Sequence, residues 1–490
     1  MKKFSKVLSI LLSVVLVISS FYLLYQVIRL NVLPSKFLFP LTIGVVVLDA
    51  IFILLLVYFS KNVVSKIICI VLTLFICVAS CMGGYYISKT QGALSNITNV
   101  AKHAKNTVSV IVKESSSIKD KSQLNGVSVG SLRLNEQGSK KALKELSNEG
   151  IVLNQTEYDS MTALLEAFYN GEVDSIIINE SSRSQILDME AYSNFDSNTR
   201  VVYQTSYKVK NNDSATSVSD ITSKPFNVLI SGSDSRGGFD ENGRSDVIMV
   251  ATVNPKTHTI LLTSVPRDFY VTTACDAGDG CMQGALDKIT HTGIHGTNTT
   301  KRTVEQLLGI EINYTFKVGF DTVTELVDVL GGVDVYVEPG YATTTSEFSV
   351  HEGVNHLNAQ QALAFARERY SYTEGDRQRT KNQQQVLMGI VKEVTKPSVI
   401  TNYAAIMDTM ANTFSTTMTN EEITDLIKYQ LNNNPTWKME QYMVDGTGDT
   451  LMCAELGDAA SVMVPDQSTV KMAKDKINAV LAGKSSEDVK

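Results

Sequence analysis

The chain has 490 residues with 44 Lys and Arg against 51 Asp and Glu, and its formal net charge is -7 at pH 7. This acidic balance argues against a nucleic-acid partner, because such partners favour basic domains. The sequence also has no zinc-finger spacing and no basic helix-turn-helix pattern. About 400 residues follow the apolar N-terminal part, which is enough for two or three domains with proper cores.

Three apolar runs open the chain, at residues 7–28, 37–59 and 67–87. Each reaches the ~20 residues that a helix needs to cross a bilayer, so they are interpreted as membrane spans. A cleaved signal peptide is the alternative for the first run. Its apolar region is too long for one, and no small-residue cleavage pattern separates it from the second run.

The charges around these runs predict the orientation. Lysines precede the first run and separate the second from the third, at Lys2, Lys3, Lys6, Lys61 and Lys66, whereas the other short loop has Arg29 and Lys36. The positive-inside rule therefore places the N-terminus in the cytoplasm and everything after about Lys89 outside the cell membrane. Asp49 lies inside the second span, where a functional carboxyl and a helix-packing carboxyl are both consistent with its position, and we assign it no role.

The cysteines divide into two groups. Those in the third span are interpreted as packing or lipid-facing residues: Cys69, Cys77 and Cys81. Cys275 and Cys281 enclose a small loop, and outside the cell they are expected to form a disulfide, which leaves Cys453 unpaired. Metal binding by this pair is the weaker alternative, because no second pair of Cys or His has suitable spacing.

The spacing of apolar residues predicts a separate α/β module over residues 90–223, after an N-terminal membrane part at residues 1–89. Its strands are expected at residues 126–134 and 173–178 and its helices at 140–146 and 161–169. This order resembles one lobe of a periplasmic solute-binding protein, although no ligand contact is identifiable. We favour an interaction or spacer module, with a receptor lobe as the alternative.

A last domain is expected over residues 224–485. Its predicted strands are residues 226–231, 247–253, 259–265 and 333–337, and its predicted helices include residues 302–308 and 322–330. The first strand runs into the polar, Gly-rich segment at residues 232–238. Such a junction is where α/β folds usually place ligand chemistry.

Two aspartates near these strand ends suggest a metal site. Arg244 and Asp246 are two residues apart at the start of a strand, so their side chains share a face and both can turn towards the loop that holds Asp234. Two converging carboxylates suit Mg²⁺, with Mn²⁺ as a substitute, and phosphate oxygens and waters as the remaining ligands. In the alternative interpretation each aspartate caps a turn or pairs with Arg236 or Arg244.

Arginines supply the matching anion site. Arg267 follows a strand directly, beside a rigid proline, and is well placed to clamp an anion, with surface pairing to Asp268 as the alternative. Arg367 and Arg369 bracket Glu368, so both turn to one side if that segment is extended. Guanidinium groups bind phosphate in a bidentate way and stay protonated.

A helix is expected to begin near Gly375 and to bury one stripe. Arg379, Gln383, Val386 and Ile390 recur at helical offsets, which places the arginine and the glutamine on the buried face. A buried arginine needs an anion, and the N-terminal end of this helix adds a partial positive charge that suits phosphate. Arg377 lies off the stripe and is interpreted as a solvated side chain.

Several motifs occur in a fixed order across these segments. They are Gly-Ser-Asp-Ser-Arg at residues 232–236, Arg-Ser-Asp at 244–246, Pro-Arg-Asp at 266–268, Arg-Glu-Arg-Tyr at 367–370, Gly-Asp-Arg-Gln-Arg at 375–379 and Gln-Gln at 383–384. Together they resemble the LytR-CpsA-Psr family, and a set of motifs in order is far more specific than any one alone. With three spans and an intervening module, the chain most resembles the streptococcal capsule-biosynthesis members of that family.

The resemblance implies an α/β/α domain with a central mixed sheet and a hydrophobic pocket for a polyprenyl lipid. Family members are thought to use Mg²⁺ to transfer glycopolymers from undecaprenyl pyrophosphate to peptidoglycan. Asp234 and Asp246 would hold the metal, and Asp268 would orient Arg267 or support the site. The pyrophosphate would be surrounded by Arg244, Arg267, Arg367, Arg369, Arg379 and Gln383, with Arg244, Arg267 and Asp268 taken as catalytic.

The expected partners are the membrane, the lipid-linked polysaccharide, peptidoglycan, and membrane proteins of capsule assembly or kinase adaptors. The competing function is an extracytoplasmic sensor that binds polyprenyl phosphates without turnover. A transcription factor, the third function attached to this family, is disfavoured by the predicted topology and the acidic charge.

Two segments depart from the family pattern. Asn382 stands where many relatives have an arginine, which leaves one cation fewer on the helix. The segment at residues 287–296 also differs and carries His291 and His295, to which no role is assigned. Structural roles are favoured over metal binding for both histidines, because Mg²⁺ prefers oxygen.

Overall fold

The computed structural model describes residues 2–59, 62–100, 103–133, 136–210, 215–233, 241–276, 280–396 and 398–489. Asp234 and Arg236, which the sequence associates with the metal site, lie outside these residues. The chain forms two compact units. The first consists of Met1–Asn96, Val394–Ala411 and Thr419–Thr436, and the second of Ile97–Glu393, Asn412–Met418 and Trp437–Lys490.

The first unit begins with three long helices, α1 (Lys2–Leu30), α2 (Ser35–Leu54) and α3 (Val63–Val100). Length and composition make Lys6–Leu30, Ser35–Tyr58 and Val63–Thr98 candidate membrane spans, so the predicted spans are confirmed at that level. Asp49 on α2 accepts a hydrogen bond of 2.9 Å from the Ser20 hydroxyl of α1. This contact agrees with a helix-packing carboxyl.

The second unit begins with the module predicted between the spans and the last domain, hereafter the accessory module. Its elements are β1 (His103–Lys113), β2 (Ser128–Leu132), α4 (Glu136–Asn148), β3 (Asn154–Tyr158), α5 (Met161–Asn170), β4 (Ser175–Asn179), α6 (Arg183–Asp188), α7 (Phe195–Asn198) and β5 (Thr199–Lys210). The strand order is β3-β2-β4-β1-β5, with β2 parallel to β3 and β4. The predicted strands and helices are present, and the long antiparallel pair β1 and β5 was not predicted.

The remainder of the chain supplies a second α/β layer structure, hereafter the C-terminal domain. Its elements up to the long helix are β6 (Phe226–Ser233), β7 (Ser245–Asn254), β8 (Thr259–Ser264), β9 (Tyr270–Thr272), β10 (Leu286–Lys288), a 3-10 helix (Ile289–His295), α8 (Thr297–Leu308), β11 (Tyr314–Gly319), α9 (Phe320–Leu330), β12 (Val333–Val337), β13 (Thr343–Thr344), β14 (Ser349–Val350), β15 (Gly353–Leu357), α10 (Ala359–Arg367) and α11 (Asp376–Val394). The domain continues with β16 (Phe414–Thr416), β17 (Lys438–Met443), β18 (Gly446–Cys453), β19 (Asp458–Pro465) and α14 (Gln467–Leu481). Two helices in this part of the chain, α12 (Val399–Thr413) and α13 (Asn420–Asn433), belong to the first unit.

The central sheet of this domain is mixed, as predicted. Its order is β16-β11-β6-β7-β8-β17, with β11 parallel to β6, β17 parallel to β8 and the other neighbours antiparallel. One face packs on α8 and α14 through a core that includes Leu229, Val250 and Leu261. The side chain of Ser264 is out of phase with Leu261 and faces the other side, where it accepts a hydrogen bond of 2.8 Å from Gln384 on α11. Helices therefore cover both faces.

Helices α12 and α13 group with the spans in the first unit rather than with the last domain in which the sequence placed them. Lys89 forms an ion pair with Asp408 on α12. Lys36 donates to the carbonyl oxygen of Asn432 at 2.7 Å, and Lys428 donates to the side chain of Asn31 at 2.8 Å. Polar contacts between residues hundreds of positions apart leave no periodic signal, so the sequence could not indicate this grouping.

A buried glutamate joins the edge strand β17 to the C-terminal segment. The Glu440 side chain is 1% exposed and lies 2.8 Å from the Lys438 ammonium, and it also accepts from the Ser485 hydroxyl and the Ser486 backbone N–H at 2.8 Å. Burial alone raises the pKa of Glu440, but the hydrogen bonds from Lys438 and both serines outweigh it and lower the pKa from 4.5 to about 2.

We expect Glu440→Gln to reduce the free energy of unfolding by about 1–3 kcal/mol at neutral pH, since a charge-assisted hydrogen-bond set is weakened. Because the pKa of Glu440 is lower in the folded state, its ionised side chain stabilises the folded protein above pH 4.5, and this contribution is lost as the pH falls towards about 2. The variant lacks this pH-dependent contribution. Denaturation followed by the fluorescence of Trp437, the single tryptophan, measures both effects. Glu487→Gln is the matched control, because its side chain is 69% exposed beside the same lysine, and an equal effect of both variants would contradict the assignment.

Candidate functional site

Four of the predicted site residues lie where β7 begins and just after β8 ends: Arg244, Asp246, Arg267 and Asp268. A chain of buried hydroxyl groups joins the start of β7 to β6 and α8: Ser231 to Ser245 at 2.9 Å, Ser245 to Thr300 at 3.0 Å, and Thr292 to Thr300 at 2.9 Å. Gly293 permits the close approach, because a Cβ there would lie 2.5 Å from the Gly243 carbonyl oxygen. The start of β7 is thereby fixed against the 3-10 helix and α8.

Asp246 is the central carboxylate of this region, and its side chain is 9% exposed. It accepts a hydrogen bond of 2.9 Å from Nη1 of Arg267 and one of 3.3 Å from the Thr290 hydroxyl. Nη2 of Arg244 lies 3.6 Å from its second oxygen, which agrees with the predicted shared face. One buried carboxylate thus gathers two guanidinium groups from separate strand ends.

Asp268 contacts cations on two sides. Its carboxylate lies 3.7 Å from Nε of Arg267 and 3.4 Å from the Lys288 ammonium. Burial lowers the pKa of Arg267, but Asp246 and Asp268 outweigh burial and raise the pKa above its usual value. Asp268 therefore contacts the Arg267 side chain, and the orienting role that the family resemblance implies for it stays a prediction.

Arg379 adds a third guanidinium group from the first turn of α11. It forms an ion pair with Asp376, three residues earlier, and its side chain is 14% exposed. Burial is the main cause that lowers the pKa of Arg379, and the charges of Arg267 and Arg369 lower it further, against the opposing effect of Asp376 and Asp246. The nearby carboxylates therefore do not fully offset the cost of burying the Arg379 charge, and an anion bound beside Arg379 would stabilise that charge.

Three buried N–H donors of this cluster have no acceptor. Within the residues that the structure describes, Nε of Arg244, Nε of Arg267 and Nε of Arg379 each lack a hydrogen-bond partner. A buried donor without an acceptor costs about 1–3 kcal/mol, more when it is charged. Guanidinium N–H groups match phosphate oxygens in geometry and charge, so this arrangement is suited to a phosphorylated ligand.

The other predicted phosphate ligands lie at the end of α10, just after it, and on α11. Arg367 is the exposed last residue of α10, so the extended segment expected around Glu368 begins one residue later. Arg369 lies over the ring of Tyr370, 4.7 Å from its centroid, and donates to its hydroxyl at 2.6 Å. Gln383 is half-buried on α11.

The buried stripe of α11 is displaced from the predicted one. Val386 and Ile390 are buried as expected, but Gln378 and Asn382 continue their stripe instead of Arg379 and Gln383. The reason is polar pairing, since Gln378 donates to Asn382 at 3.0 Å and Asn382 donates to the Phe365 carbonyl oxygen at 3.0 Å. Asn382 therefore joins α11 to α10.

Two arginines pair with carboxylates outside this cluster. Arg302 forms an ion pair with Asp276, and Arg377 is exposed and lies 2.7 Å from Asp445. Thr290, Lys288 and Asp376 were not predicted as parts of the cluster. Of these, Asp376 had a usable signal, because residues three apart in a helix lie on the same face.

The histidines of the 3-10 helix are each paired with a carboxylate. Nδ1 of His291 lies 2.7 Å from Asp287, and Nε2 of His295 lies 2.9 Å from Glu455. These contacts agree with structural roles. Cys275 and Cys281 form a disulfide.

The donor chemistry was tested against the expected Mg²⁺ ion. No group of three or more His, Cys, Asp or Glu side chains that could hold a metal is found among the described residues. Mg²⁺ does not require such a group, because it commonly binds one or two carboxylates together with waters and substrate phosphates. Asp246 fits as one such carboxylate, and Asp234 lies outside the described residues.

A family model described as the LytR_cpsA_psr family matches residues 191–479, more than half of the chain. The chain belongs to the LytR_cpsA_psr family.

Curated relatives support this membership. The chain is 32% identical over 241 residues to a protein of Bacillus cereus named polyisoprenyl-teichoic acid–peptidoglycan teichoic acid transferase TagU, and the match covers 49% of this chain and 76% of that one. It is 34% identical over 203 residues to the protein of that name from Bacillus subtilis, covering 41% and 63%. The relatives are enzymes by name, as predicted for this family member, and their names specify teichoic acid rather than capsule.

Among solved structures, the chain is similar to the crystal structure of Bacillus subtilis TagU, with 29% identity, a TM-score of 0.41, and coverage of 53% of this chain and 97% of that one. It is also similar to a crystal structure of a Streptococcus agalactiae protein, with 24% identity, a TM-score of 0.45, and coverage of 54% and 89%.

Pyrophosphate should bind to the three unpartnered donors and raise the melting temperature of the purified protein, since a ligand at 100 times its Kd adds about 2.7 kcal/mol. We expect Arg379→Gln to weaken this binding about tenfold or more, because one charge-assisted contact of about 1.5–3 kcal/mol is lost. Arg377→Gln, on the same helix but exposed and paired with Asp445, is the control. Equal melting shifts in both variants would show that Arg379 does not meet the anion.

Proposed function

We propose that the protein is a membrane-anchored phosphotransferase that moves a glycopolymer from an undecaprenyl-pyrophosphate carrier to peptidoglycan. The observation that carries the proposal is the set of buried guanidinium N–H groups on Arg244, Arg267 and Arg379 that have no hydrogen-bond acceptor among the described residues, next to the carboxylate of Asp246. Family membership and the transferase names of the curated relatives support the reaction class.

The proposed orientation follows the positive-inside rule, with the N-terminus in the cytoplasm and the C-terminal domain outside the membrane. A polyprenyl carrier is itself anchored in the bilayer, so an enzyme tethered by three spans meets it at the outer surface. We propose capsular polysaccharide or a related glycopolymer as the cargo, on the resemblance of the span arrangement to capsule-biosynthesis members. The proposal also includes a hydrophobic pocket for the lipid tail and membrane-protein partners. Its domain boundaries are residues 1–89, 90–223 and 224–485.

In the proposed reaction an acceptor hydroxyl of peptidoglycan attacks the phosphorus that carries the sugar. The new P–O bond forms to the acceptor, the bond to the bridging oxygen breaks, and polyprenyl monophosphate leaves, while the hydroxyl proton passes to the departing phosphate or to solvent. Arg244, Arg267 and Arg379 hold the pyrophosphate and stabilise the charge that develops on its oxygens. Asp268 holds Arg267 in its orientation.

Arg367, Arg369 and Gln383 are proposed to contact the outer part of the pyrophosphate. Arg367 is exposed, whereas Arg244, Arg267 and Arg379 are partly buried. Asp246, with Asp234, would hold Mg²⁺ or Mn²⁺, which when bound neutralises phosphate charge and polarises the P–O bonds. Asp246 accepts a hydrogen bond from Arg267, so the carboxylate and the guanidinium are held side by side.

Transfer is measured with the full-length protein in detergent, a lipid-linked glycan and peptidoglycan, by the release of polyprenyl phosphate. We expect Asp246→Asn and Arg267→Gln to lower kcat/KM by about 10²-fold or more, as removal of preorganised charge does at related sites. Arg302→Gln is the matched control, because Arg302 pairs with Asp276 away from the cluster.

Two outcomes would contradict the proposal. Transfer by Asp246→Asn and Arg267→Gln at the wild-type rate would show that the cluster is not the reaction site. Tight binding of the lipid-linked glycan by the wild-type protein without any release of polyprenyl phosphate would favour the sensor instead.

A further inference from the structure

The accessory module contacts the short segment that leads into Asp246. Asp188, the last residue of α6, forms an ion pair with Arg244. Three residues before Arg244, the Glu241 carboxylate accepts from the Thr107 hydroxyl of β1 and lies 3.5 Å from the Lys105 ammonium. The accessory module therefore holds both ends of residues 241–244.

The guanidinium group of Arg244 is shared between two carboxylates. Nη1 contacts Asp188, Nη2 lies 3.6 Å from Asp246, and Nε has no acceptor among the described residues. The Arg244 side chain is 11% exposed, whereas that of Asp188 is 59% exposed. With one nitrogen held on each side, the plane of the guanidinium is fixed and the buried Nε keeps an unused N–H.

The position of Asp188 is itself fixed by its neighbour in sequence. Met189 packs against the apolar cluster of Cys453, Leu456 and Val462 on and between β18 and β19. Close by, the backbone N–H of Thr162 donates to the Leu456 carbonyl oxygen at 3.2 Å. The end of α6 is thus held against the C-terminal domain by packing, and the carboxylate next to it needs little ordering to meet Arg244.

Removal of the Asp188 charge would leave Asp246 as the carboxylate that pairs with Arg244 among the described residues. The guanidinium would then turn towards Asp246 and compete there with Arg267, which donates to it at 2.9 Å. The direction of the Arg244 Nε–H bond and the contacts of the Asp246 carboxylate oxygens would then both change.

We propose that Asp188 is a positioning residue through which the accessory module completes the pyrophosphate site. It holds Arg244 away from Asp246 and aims the unpartnered Nε at a phosphate oxygen. This role rests on the proposed function, and it makes the accessory module a structural part of the site.

The test compares Asp188→Asn with Asp188→Glu and Glu190→Gln in the full-length protein. Glu190 is exposed two residues away and serves as the matched control. The measurements are the Kd for inorganic pyrophosphate, KM and kcat for lipid-linked glycan, and the melting temperature. We expect Asp188→Asn to raise Kd and KM about tenfold, equivalent to about 1.4 kcal/mol, and to lower kcat because Arg244 also stabilises developing charge, with the melting temperature changed little.

Two further results support the role of Asp188 specifically. Asp188→Glu restores most of the affinity, because the carboxylate is retained. In an Arg244→Gln background, Asp188→Asn has no further effect on Kd, because the two residues act through one contact.

A Kd for Asp188→Asn within about twofold of that for Glu190→Gln would overturn the inference, and transfer by the wild-type protein would still uphold the proposed function. If the wild-type protein binds pyrophosphate but transfers nothing, the proposed function fails while the difference in Kd continues to support the positioning role. Absence of pyrophosphate binding by the wild-type protein would overturn both.

Discussion

The arrangement of the site depends on a buried negative charge at Asp246. A carboxylate with a 9% exposed side chain must be paired, and here the pairing draws Arg244 and Arg267 from two different strand ends to within 3.6 and 2.9 Å. Because each guanidinium has five N–H donors and the carboxylate satisfies few of them, pairing leaves donors in surplus. The negative charge thus assembles a surface that is suited to a second, larger anion.

This pairing works because the backbone beneath it is rigid. The hydroxyl chain from Ser231 through Ser245 to Thr300 joins β6, β7 and α8 below the charged side chains. On the opposite face of the sheet, Gln384 donates to the Ser264 hydroxyl at 2.8 Å and to the Tyr442 carbonyl oxygen at 2.9 Å, which holds α11 against β8 and β17. Arg379 lies on the same helix, so the hydrogen bonds that hold α11 in place also position its guanidinium group.

Apolar periodicity was sufficient to predict much of the fold, because strands such as β6 and β8 bury continuous runs of Val, Ile and Leu. Strand alternation also predicted that Arg244 and Asp246 share a face. Polar burial could not be predicted in this way: Gln378 and Asn382 form the buried stripe of α11 through hydrogen bonds, and such residues give no hydrophobic period. The pair between Asp188 and Arg244 joins residues 56 positions apart in different modules, and no local pattern marks such a contact.

The grouping of α12 and α13 with the spans has a consequence for how this protein can be divided. Asp408 and Lys428 find their partners on Lys89 and Asn31, in the membrane part of the first unit. A soluble fragment cut after the third span would still contain both helices but would lose these partners. The two compact units therefore have no single cut point in the sequence, because the first unit is built from three separate segments of the chain.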